Sequence, residues 1–269
     1  VRDEAFPSDP KRAIERGLLE AEAMFLEWAH QQSRPNDDFV ERSGTCATIV
    51  LIVGDVCYVG NVGDSRAIMS VDGGQRTLVL SKDHKPEEEG ETRRVESNGG
   101  QIYQNKSYVP DPSPDNASGL QMIIGPHRVF PGRLSVSRTI GDIEAKDPRY
   151  GGNPKCVIPD PEIKAFKIRP NYDFIIIGCD GVFEKLDNNA VIRSVWDAAR
   201  CDFANDEVLR KNVDQNTLKS GAPVTIHQKS GLAVDKCLHE CVAEKTLDNI
   251  TAVMIAFENF ERTANTDYR

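Results

Sequence analysis

The chain has 269 residues, of which 39% are hydrophobic and 28% charged, and its formal net charge is −9. These values are typical of a globular protein and exclude a disordered or membrane-embedded chain. The negative charge argues against nucleic acid or an anionic membrane as the main partner, because both are bound through basic patches. It suits a protein that collects cations.

The sequence has seven cysteines, an odd number, and most of them lie within apolar runs. This pattern predicts buried, reduced thiols and therefore an intracellular protein of the cytoplasm or nucleus. Cys237 and Cys241 flank His239 at a spacing that raises the question of a zinc site. No second ligand pair accompanies them, so we favour a helix face over zinc. We also expect no membrane segment, because no apolar run approaches the ~18 residues that a spanning helix needs.

The first predicted element is a helix over about the first 30 residues, with Asp9 as its N-cap and Pro10 at its first position. From residue 46 the apolar pattern changes to that of strands, over residues 46–53, 56–62, 67–71 and 75–80. The tight turns between these strands favour an antiparallel meander. Residues 46–53 are apolar at nearly every position, which indicates a strand that is covered on both faces.

The remaining sequence predicts helices at residues 86–97, around 191–198 and at 232–245, and strands at 163–168, 173–179 and 251–257. Two stretches are expected to be irregular, the proline-rich residues 103–131 and residues 146–161, and the tail beyond Asn259 is expected to be polar. Strands that are buried on both faces, with helices before, between and after them, require a fold of stacked layers. We therefore predict an α+β fold, an α-β-β-α sandwich of two stacked antiparallel sheets flanked by helices, in one domain over residues 1–269.

Three carboxylates lie at the ends of strongly apolar strands: Asp64, Asp180 and Asp248. One such residue alone is most simply a turn cap. Stacked strands can bring three together, and converging carboxylates repel one another unless a cation joins them. Magnesium or manganese, with its preference for oxygen ligands, resolves that repulsion. The residues by themselves predict an acidic metal site and no more.

Several ordered segments resemble the motifs of the PPM, or PP2C, family of metal-dependent serine/threonine protein phosphatases. They are residues 43–47 (SGTCA), 58–67 (YVGNVGDSRA), 83–86 (DHKP) with Glu91, Arg94, Gly99 and Gly100, 132–142 (GRLSVSRTIGD), 179–184 (CDGVFE) and 248–251 (DNIT). One tetrapeptide would be weak, but the ordered set over residues ~8 to ~258 is highly specific. The resemblance implies the same α-β-β-α sandwich, with a variable flap region near the substrate groove at residues ~101–161.

The resemblance also implies a mechanism, in which a pair of Mg²⁺ or Mn²⁺ ions activates a water that attacks the phosphorus of phosphoserine or phosphothreonine. By position, Asp180 and Asp248 correspond to ligands of one core ion. Asp64 corresponds to a ligand, shared with Asp180, of a further and weaker metal site. The implied partners are phosphorylated protein substrates, with no nucleic acid or membrane, and we expect a monomer.

The chain departs from the family pattern at its start. The family's domain begins with two strands that carry a phosphate-binding arginine, a bridging aspartate and a general-acid histidine, and no Asp-Gly-His run occurs in this chain. We therefore expect those catalytic residues upstream of Val1 and none within this chain, which by itself should be incomplete for catalysis. The alternative is a catalytically inactive relative that acts as a binding or regulatory module. The retained Asp64, Asp180 and Asp248 favour the enzyme.

Three other motif residues are assigned plainer roles. His84 is expected to order a turn. Arg138 is expected to form an internal salt bridge, with Asp142 as the candidate partner. Ser65 has no base in a triad arrangement, so a serine nucleophile is disfavoured.

Overall fold

The computed structural model describes residues 2–33, 39–110, 120–200 and 225–266. Its helices in that part of the chain are α1 (Pro10–Gln32), α2 (Glu89–Ser97), α3 (Ile143–Lys146), α4 (Asp180–Phe183), α5 (Asn188–Ala199), α6 (Ile226–Ala243) and α7 (Glu258–Thr266). The first helix begins as the sequence predicts, since Pro10 occupies its first turn and the Asp9 side chain accepts a hydrogen bond from the Arg12 N–H.

The strands are β1 (Gly44–Thr45), β2 (Ala47–Val53), β3 (Val56–Val62), β4 (Arg66–Val71), β5 (Arg76–Val79), β6 (Gln101–Pro110), β7 (Leu120–Phe130), β8 (Ile140–Gly141), β9 (Glu162–Lys167), β10 (Tyr172–Gly178) and β11 (Ala252–Ala256). They form a four-stranded sheet β11-β10-β4-β5, a three-stranded sheet β2-β3-β9, and the pairs β1-β8 and β6-β7. The predicted α+β class is confirmed by this mixture of helices and antiparallel sheets.

The chain divides into two compact units. Unit 1 comprises Val1–Ala47, Gly60–Asp64 and Asp83–Glu162, and unit 2 comprises Thr48–Val59, Ser65–Lys82 and Ile163–Arg269. The expectation of one domain over residues 1–269 stays a prediction. No helix in the described ranges has both the length and the apolar character that crossing a membrane requires.

Unit 2 is layered, and the side chains of β10 show how. Phe174 and Ile176 face a core formed with α5, α6 and α7, whereas Ile175, between them, packs with Met69 and Val59 of the neighbouring strands. Alternate residues of a strand point to opposite faces, so a strand buried on both sides is apolar throughout. The run of apolar residues at 174–179 is therefore explained by helices on one face and strands on the other.

Unit 1 contains α1, α2, α3 and the β6-β7 ribbon. A buried ion pair joins α1 to α3, with Glu22 Oε1 2.6 Å from Lys146 Nζ. The second Glu22 oxygen accepts the Gly141 N–H at 2.6 Å, and Lys146 Nζ also donates to the Thr139 carbonyl. Both charges are thus paired and further hydrogen-bonded, which is the condition under which a buried ion pair is tolerated.

Two sequence-based expectations are wrong, and a third, the polar tail, is incomplete. Strand β4 pairs with β10 and not with β3, so the four early strands belong to two sheets and not to one meander. The described residues of 103–131, which also fall in the predicted flap, are largely the β6-β7 hairpin, with residues 111–119 outside the described ranges. Each strand of a two-stranded ribbon has one free edge, and a proline whose nitrogen faces that edge removes no ladder hydrogen bond. The polar tail contains α7, which buries Phe260 and Ala264.

Candidate active site

Asp180 lies where β10 ends and α4 begins. The strand finishes at Gly178, Cys179 is the N-cap, and Asp180 is the first helical residue. Its Oδ1 accepts a hydrogen bond from the Gly181 N–H at 2.9 Å. An aspartate in a first helical turn is favoured there by the unpaired N–H groups and the helix dipole. The side chain is half-buried, at the rim of the core of unit 2.

Asp248 lies in the loop that enters β11, and its side chain is exposed. Its Oδ1 accepts a hydrogen bond from the Asn249 N–H at 2.7 Å, and its own N–H donates to Thr246 Oγ1 at 3.4 Å. The carboxylate is therefore oriented by the backbone of the residue that follows it, as Asp180 is by Gly181.

The two loops are joined side by side. Cys179 N–H donates to the Thr251 carbonyl at 3.1 Å, the Thr251 N–H donates to Cys179 Sγ at 3.2 Å, and that thiol donates to the Asn249 carbonyl at 3.2 Å. Gly181 packs so closely on Asn249 that an added Cβ would overlap with the Asn249 carbonyl oxygen. Since Gly178 pairs with Ala252, the end of β10 meets the start of β11 at one sheet edge, the edge that is formed by the ends of the strands. Asp180 and Asp248 are therefore brought to the same edge.

The charges of these two aspartates are not offset by side chains of the described residues. Within those ranges, no lysine, arginine or histidine forms an ion pair with Asp180 or Asp248, and each keeps its Oδ2 without a hydrogen bond. The described part of the chain contains no group of three or more His, Cys, Asp or Glu side chains arranged to hold a metal. The donor set is two carboxylates. It fits Mg²⁺ or Mn²⁺, because magnesium commonly takes one or two carboxylates and keeps water for its other positions.

Asp64, the third candidate, belongs to unit 1. It is 8% exposed, its Oδ1 accepts a hydrogen bond from the Cys46 thiol at 3.5 Å, and its Oδ2 lies 4.0 Å from Lys85 Nζ. Asp64 therefore has a cationic neighbour, which the described residues do not provide for Asp180 and Asp248. Its place in a metal site stays a prediction.

His84 orders the turn before Asp64. The Gly63 N–H donates to His84 Nδ1 at 3.1 Å, and the His84 N–H donates to the Gly63 carbonyl at 3.0 Å. Burial, together with the positive charge of Arg138, lowers the pKa of His84 to about 4, so the ring is neutral near pH 7. The expectation that this histidine orders a turn is confirmed.

The expected partner of Arg138 is wrong, although the kind of interaction is right. Arg138 pairs with Glu91 and not with Asp142, with Nη2 2.6 Å from Oε1. Glu91 Oε2 also accepts hydrogen bonds from Arg94 Nη1 at 2.6 Å and from Ser137 Oγ at 2.5 Å. Four motif residues thus form one buried structural cluster. The i, i+3 spacing of Glu91 and Arg94 on α2 was the one sequence signal that pointed to it.

A second buried carboxylate was missed altogether. Asp173, fully buried in unit 2, accepts hydrogen bonds from Ser70 Oγ and from the N–H groups of Gly73 and Gly74. The Trp196 indole N–H in turn donates to Ser70 Oγ at 2.9 Å. This network fixes the turn between β4 and β5. The sequence did not reveal this role, because Asp173 stood at the start of the predicted strand 173–179 and nothing next to it in the chain indicated its partners.

The six cysteines in the described ranges are free thiols. Cys237 and Cys241 are buried on α6, as the helix-face interpretation predicts. Burial raises the pKa of Cys237 to about 12 and that of Cys57 to about 11. Cys201 lies outside the described residues.

Comparisons with known proteins agree with the motif resemblance. A family model described as Protein phosphatase 2C matches residues 2–221. Probable protein phosphatase 2C 6 and probable protein phosphatase 2C 5 of Paramecium tetraurelia are 32% and 28% identical to this chain. Each alignment covers 82% of this chain and 60% of the relative, so the chain spans about three fifths of either relative's length.

Two solved structures share the fold. A Caenorhabditis elegans sex determining protein superposes with a TM-score of 0.63 at 18% identity, over 98% of this chain and 50% of that one. A serine-threonine phosphatase 2C from Toxoplasma gondii superposes with a TM-score of 0.59 at 17% identity, over 95% of this chain and 70% of that one.

Proposed function

The chain belongs to the protein phosphatase 2C family, and we propose that the protein containing it hydrolyses phosphoserine and phosphothreonine in other proteins with the help of Mg²⁺ or Mn²⁺. The observation that carries the proposal is the pair Asp180 and Asp248. These carboxylates lie at one sheet edge, each is oriented by a backbone N–H, and no cationic side chain of the described residues neutralises them.

The two aspartates act as metal ligands in this proposal. One oxygen of each carboxylate is fixed by the N–H of the next residue, which leaves the other oxygen to face a cation. The Cys179–Thr251 hydrogen bonds hold the two loops at a fixed separation, so that little reorganisation is needed when an ion binds. When bound, a divalent ion lowers the pKa of water and offsets the charge that develops on phosphoryl oxygens.

Asp64 is assigned an accessory role. Its neighbour Lys85, 4.0 Å away, already offsets part of its charge, which weakens the electrostatic drive to bind a second cation. This suits a weaker metal site and not the principal one. Phosphorylated proteins are the proposed substrates, and the acidic chain is proposed to act as a monomer.

The experiment compares Asp180→Asn and Asp248→Asn with the wild type in the full-length natural protein. We expect each variant to lose phosphatase activity on a phosphothreonine peptide by about 10²-fold or more, the range seen when a catalytic electrostatic group is removed. Calorimetric titration with Mn²⁺ should show the tight site lost, while circular dichroism shows the fold unchanged. Near-normal turnover in both variants would contradict the assignment.

A matched control is Asp187→Asn, since Asp187 caps α5 and asparagine caps equally well. It removes one negative charge from the same unit without touching the site, so activity and Mn²⁺ affinity should stay unchanged. Tight Mn²⁺ binding without turnover in the wild-type protein would identify a binding or regulatory module in place of an enzyme.

A further inference from the structure

A groove outside the candidate active site runs between α5 and the turn and strand that precede α2. Its volume is about 370 Å³, and it lies entirely within unit 2. One wall is formed by the turn at Gly73 and Gly74 and by the start of β5, and the other by the α5 side, with Arg193, Trp196, Asp197 and Arg200. An opening of this size accommodates an extended segment of several residues and not merely an ion.

The strand wall of the groove is a sheet edge. Strand β5 is last in the order β11-β10-β4-β5 and pairs with β4 alone among the strands that the structure describes. No other strand in the described ranges covers its outer backbone groups, which are therefore open to pairing with a further strand. The exposed fractions of Leu78 and Val79, 36% and 50%, show that this strand is accessible. A sheet edge beside a helix is the arrangement in which peptides bind by strand addition.

The helix wall of the groove is positive. Arg193 on α5 and Arg200, the residue that caps the C-terminus of α5, line this wall with a single acidic residue, Asp197, so these three side chains carry a net charge of +1. Arg193 has no hydrogen bond or ion pair within the described residues. The Arg200 guanidinium lies 4.5 Å from the centre of the Trp196 ring and donates to the Gly73 carbonyl at 3.0 Å. A local excess of positive charge on a chain of net charge −9 favours an acidic occupant.

The floor of the groove is rigid. Trp196 is 3% exposed and its indole N–H is held by Ser70, which is held in turn by Asp173. The turn at Gly74 packs against the same ring, and with φ at +87° an added Cβ would lie 2.6 Å from Trp196 Cδ1. The groove is therefore preformed, and a binding partner need not reorder it.

We propose that this groove binds an extended acidic segment of a partner protein, which adds as a strand to the edge of β5 and places carboxylates against Arg193 and Arg200. Arg200 follows Arg193 by seven positions, about 10 Å along a helix at ~1.5 Å per residue. An extended peptide covers the same distance in about three residues. Acidic residues at alternate positions of the segment point to one side and can reach both guanidinium groups.

The test uses the full-length protein with every tryptophan other than Trp196 replaced by phenylalanine, which within residues 1–269 means Trp28→Phe. The probe is a ten-residue peptide that alternates glutamate and threonine, with glutamine in place of glutamate as its control. We expect the acidic peptide to change the Trp196 fluorescence saturably and the glutamine peptide to bind at least about fivefold more weakly. Two further peptides, N-methylated at every glutamate or at every threonine, remove alternate backbone donors. Strand addition requires that one of these two loses binding.

The decisive variant is Arg193→Gln, since Arg200 also supports the turn through Gly73 and its replacement could disturb the groove itself. Arg193→Gln should weaken the acidic peptide by up to about fivefold, the upper range for an exposed ion pair. Arg169→Gln, an exposed arginine of the same unit that does not line the groove, should leave affinity unchanged. No saturable signal, equal binding of the glutamine peptide, or equal binding of both methylated peptides would each overturn the proposal.

Discussion

Glu91 in unit 1 and the Asp180–Asp248 pair in unit 2 are carboxylates in opposite electrostatic situations. Glu91 is buried and receives two arginines and a serine hydroxyl. Asp180 and Asp248 are more exposed and have no ion pair in the described chain. The difference separates two uses of acidic residues. A carboxylate enclosed by organic cations holds the fold together, and one without them can accept an inorganic cation.

The largest expected effect tests the structural side of this comparison. Glu91→Gln keeps the size of the side chain but leaves Arg94 and Arg138 without their counter-charge in a buried setting. We expect a loss of about 3–5 kcal/mol in the free energy of unfolding. Urea denaturation measures it.

Arg76→Gln serves as the control for this prediction. It breaks the exposed Arg76–Asp72 pair and should cost at most about 1 kcal/mol. If the two variants were equally stable, the buried cluster around Glu91 would contribute no more to the fold than an exposed ion pair does.

The second prediction concerns pH. Burial raises the pKa of Glu91, but the hydrogen bonds from Arg138, Ser137 and Arg94 outweigh it and lower the pKa from 4.5 to about 2. A lowered pKa means that the folded state binds the proton more weakly than the unfolded state. The stabilisation is therefore complete above pH 4.5 and is lost as the pH falls toward 2. The amount is on the order of 3 kcal/mol.

The comparison that isolates this effect is wild type against Glu91→Gln, with unfolding free energies measured at several pH values. The stability gap between the two proteins should be constant above about pH 5 and should narrow below it. A gap that did not change with pH would assign the stabilisation to packing and not to charge.

Asp64 stands between the two cases, because it has one cationic neighbour at 4.0 Å. Asp64→Ala should spare most of the tight Mn²⁺ binding, which is assigned to Asp180 and Asp248, and should mainly reduce turnover. We expect a reduction of about tenfold, equivalent to ~1.4 kcal/mol in the activation barrier. Calorimetry and steady-state kinetics on the same preparation separate these outcomes, and loss of the tight site would show that Asp64 is a principal ligand.

The smallest expected effect tests whether the Cys179 thiol helps to position the loops that carry Asp180 and Asp248. Cys179→Ala removes the thiol that accepts from Thr251 and donates to Asn249, at a cost of about 1 kcal/mol in stability for these hydrogen bonds. Mn²⁺ affinity should weaken with it, since the loops that carry Asp180 and Asp248 lose a connection. Cys179→Ser keeps a donor and an acceptor and should retain both properties. Equal metal affinity in all three proteins would mean that the thiol does not position the site.

The parts of the fold that the sequence predicted are those set by local chemistry. Asp9 and Pro10 mark the start of α1 because capping depends on adjacent residues. The ends of β10 and β11 were predicted because Asp180 and Asp248 interrupt apolar runs. The sequence predicted that stacked strands could bring three carboxylates together, and it did not predict the pairing of β10 with β11 that places Asp180 and Asp248 side by side.

The parts that it did not predict depend on partners distant in the chain. Nothing near β4 indicates that it pairs with β10 and not with β3. Arg138 pairs with Glu91, which lies 47 positions away in the sequence, and not with the nearer Asp142. The β6-β7 hairpin was not predicted, because its sequence contains prolines. A proline interrupts a strand only where its nitrogen would have to donate a hydrogen bond to a neighbouring strand.

The buried cysteines can be used to measure local opening of the structure. At neutral pH, thiols whose pKa is about 11 or 12, those of Cys57 and Cys237, are almost entirely protonated and shielded from reagents. Both lie in unit 2, in separate apolar clusters, one between the strands and one under the helices. The rate at which each is alkylated therefore measures how often its own cluster opens to solvent. Unequal rates would show that the layers of unit 2 open independently, and equal rates that they open together.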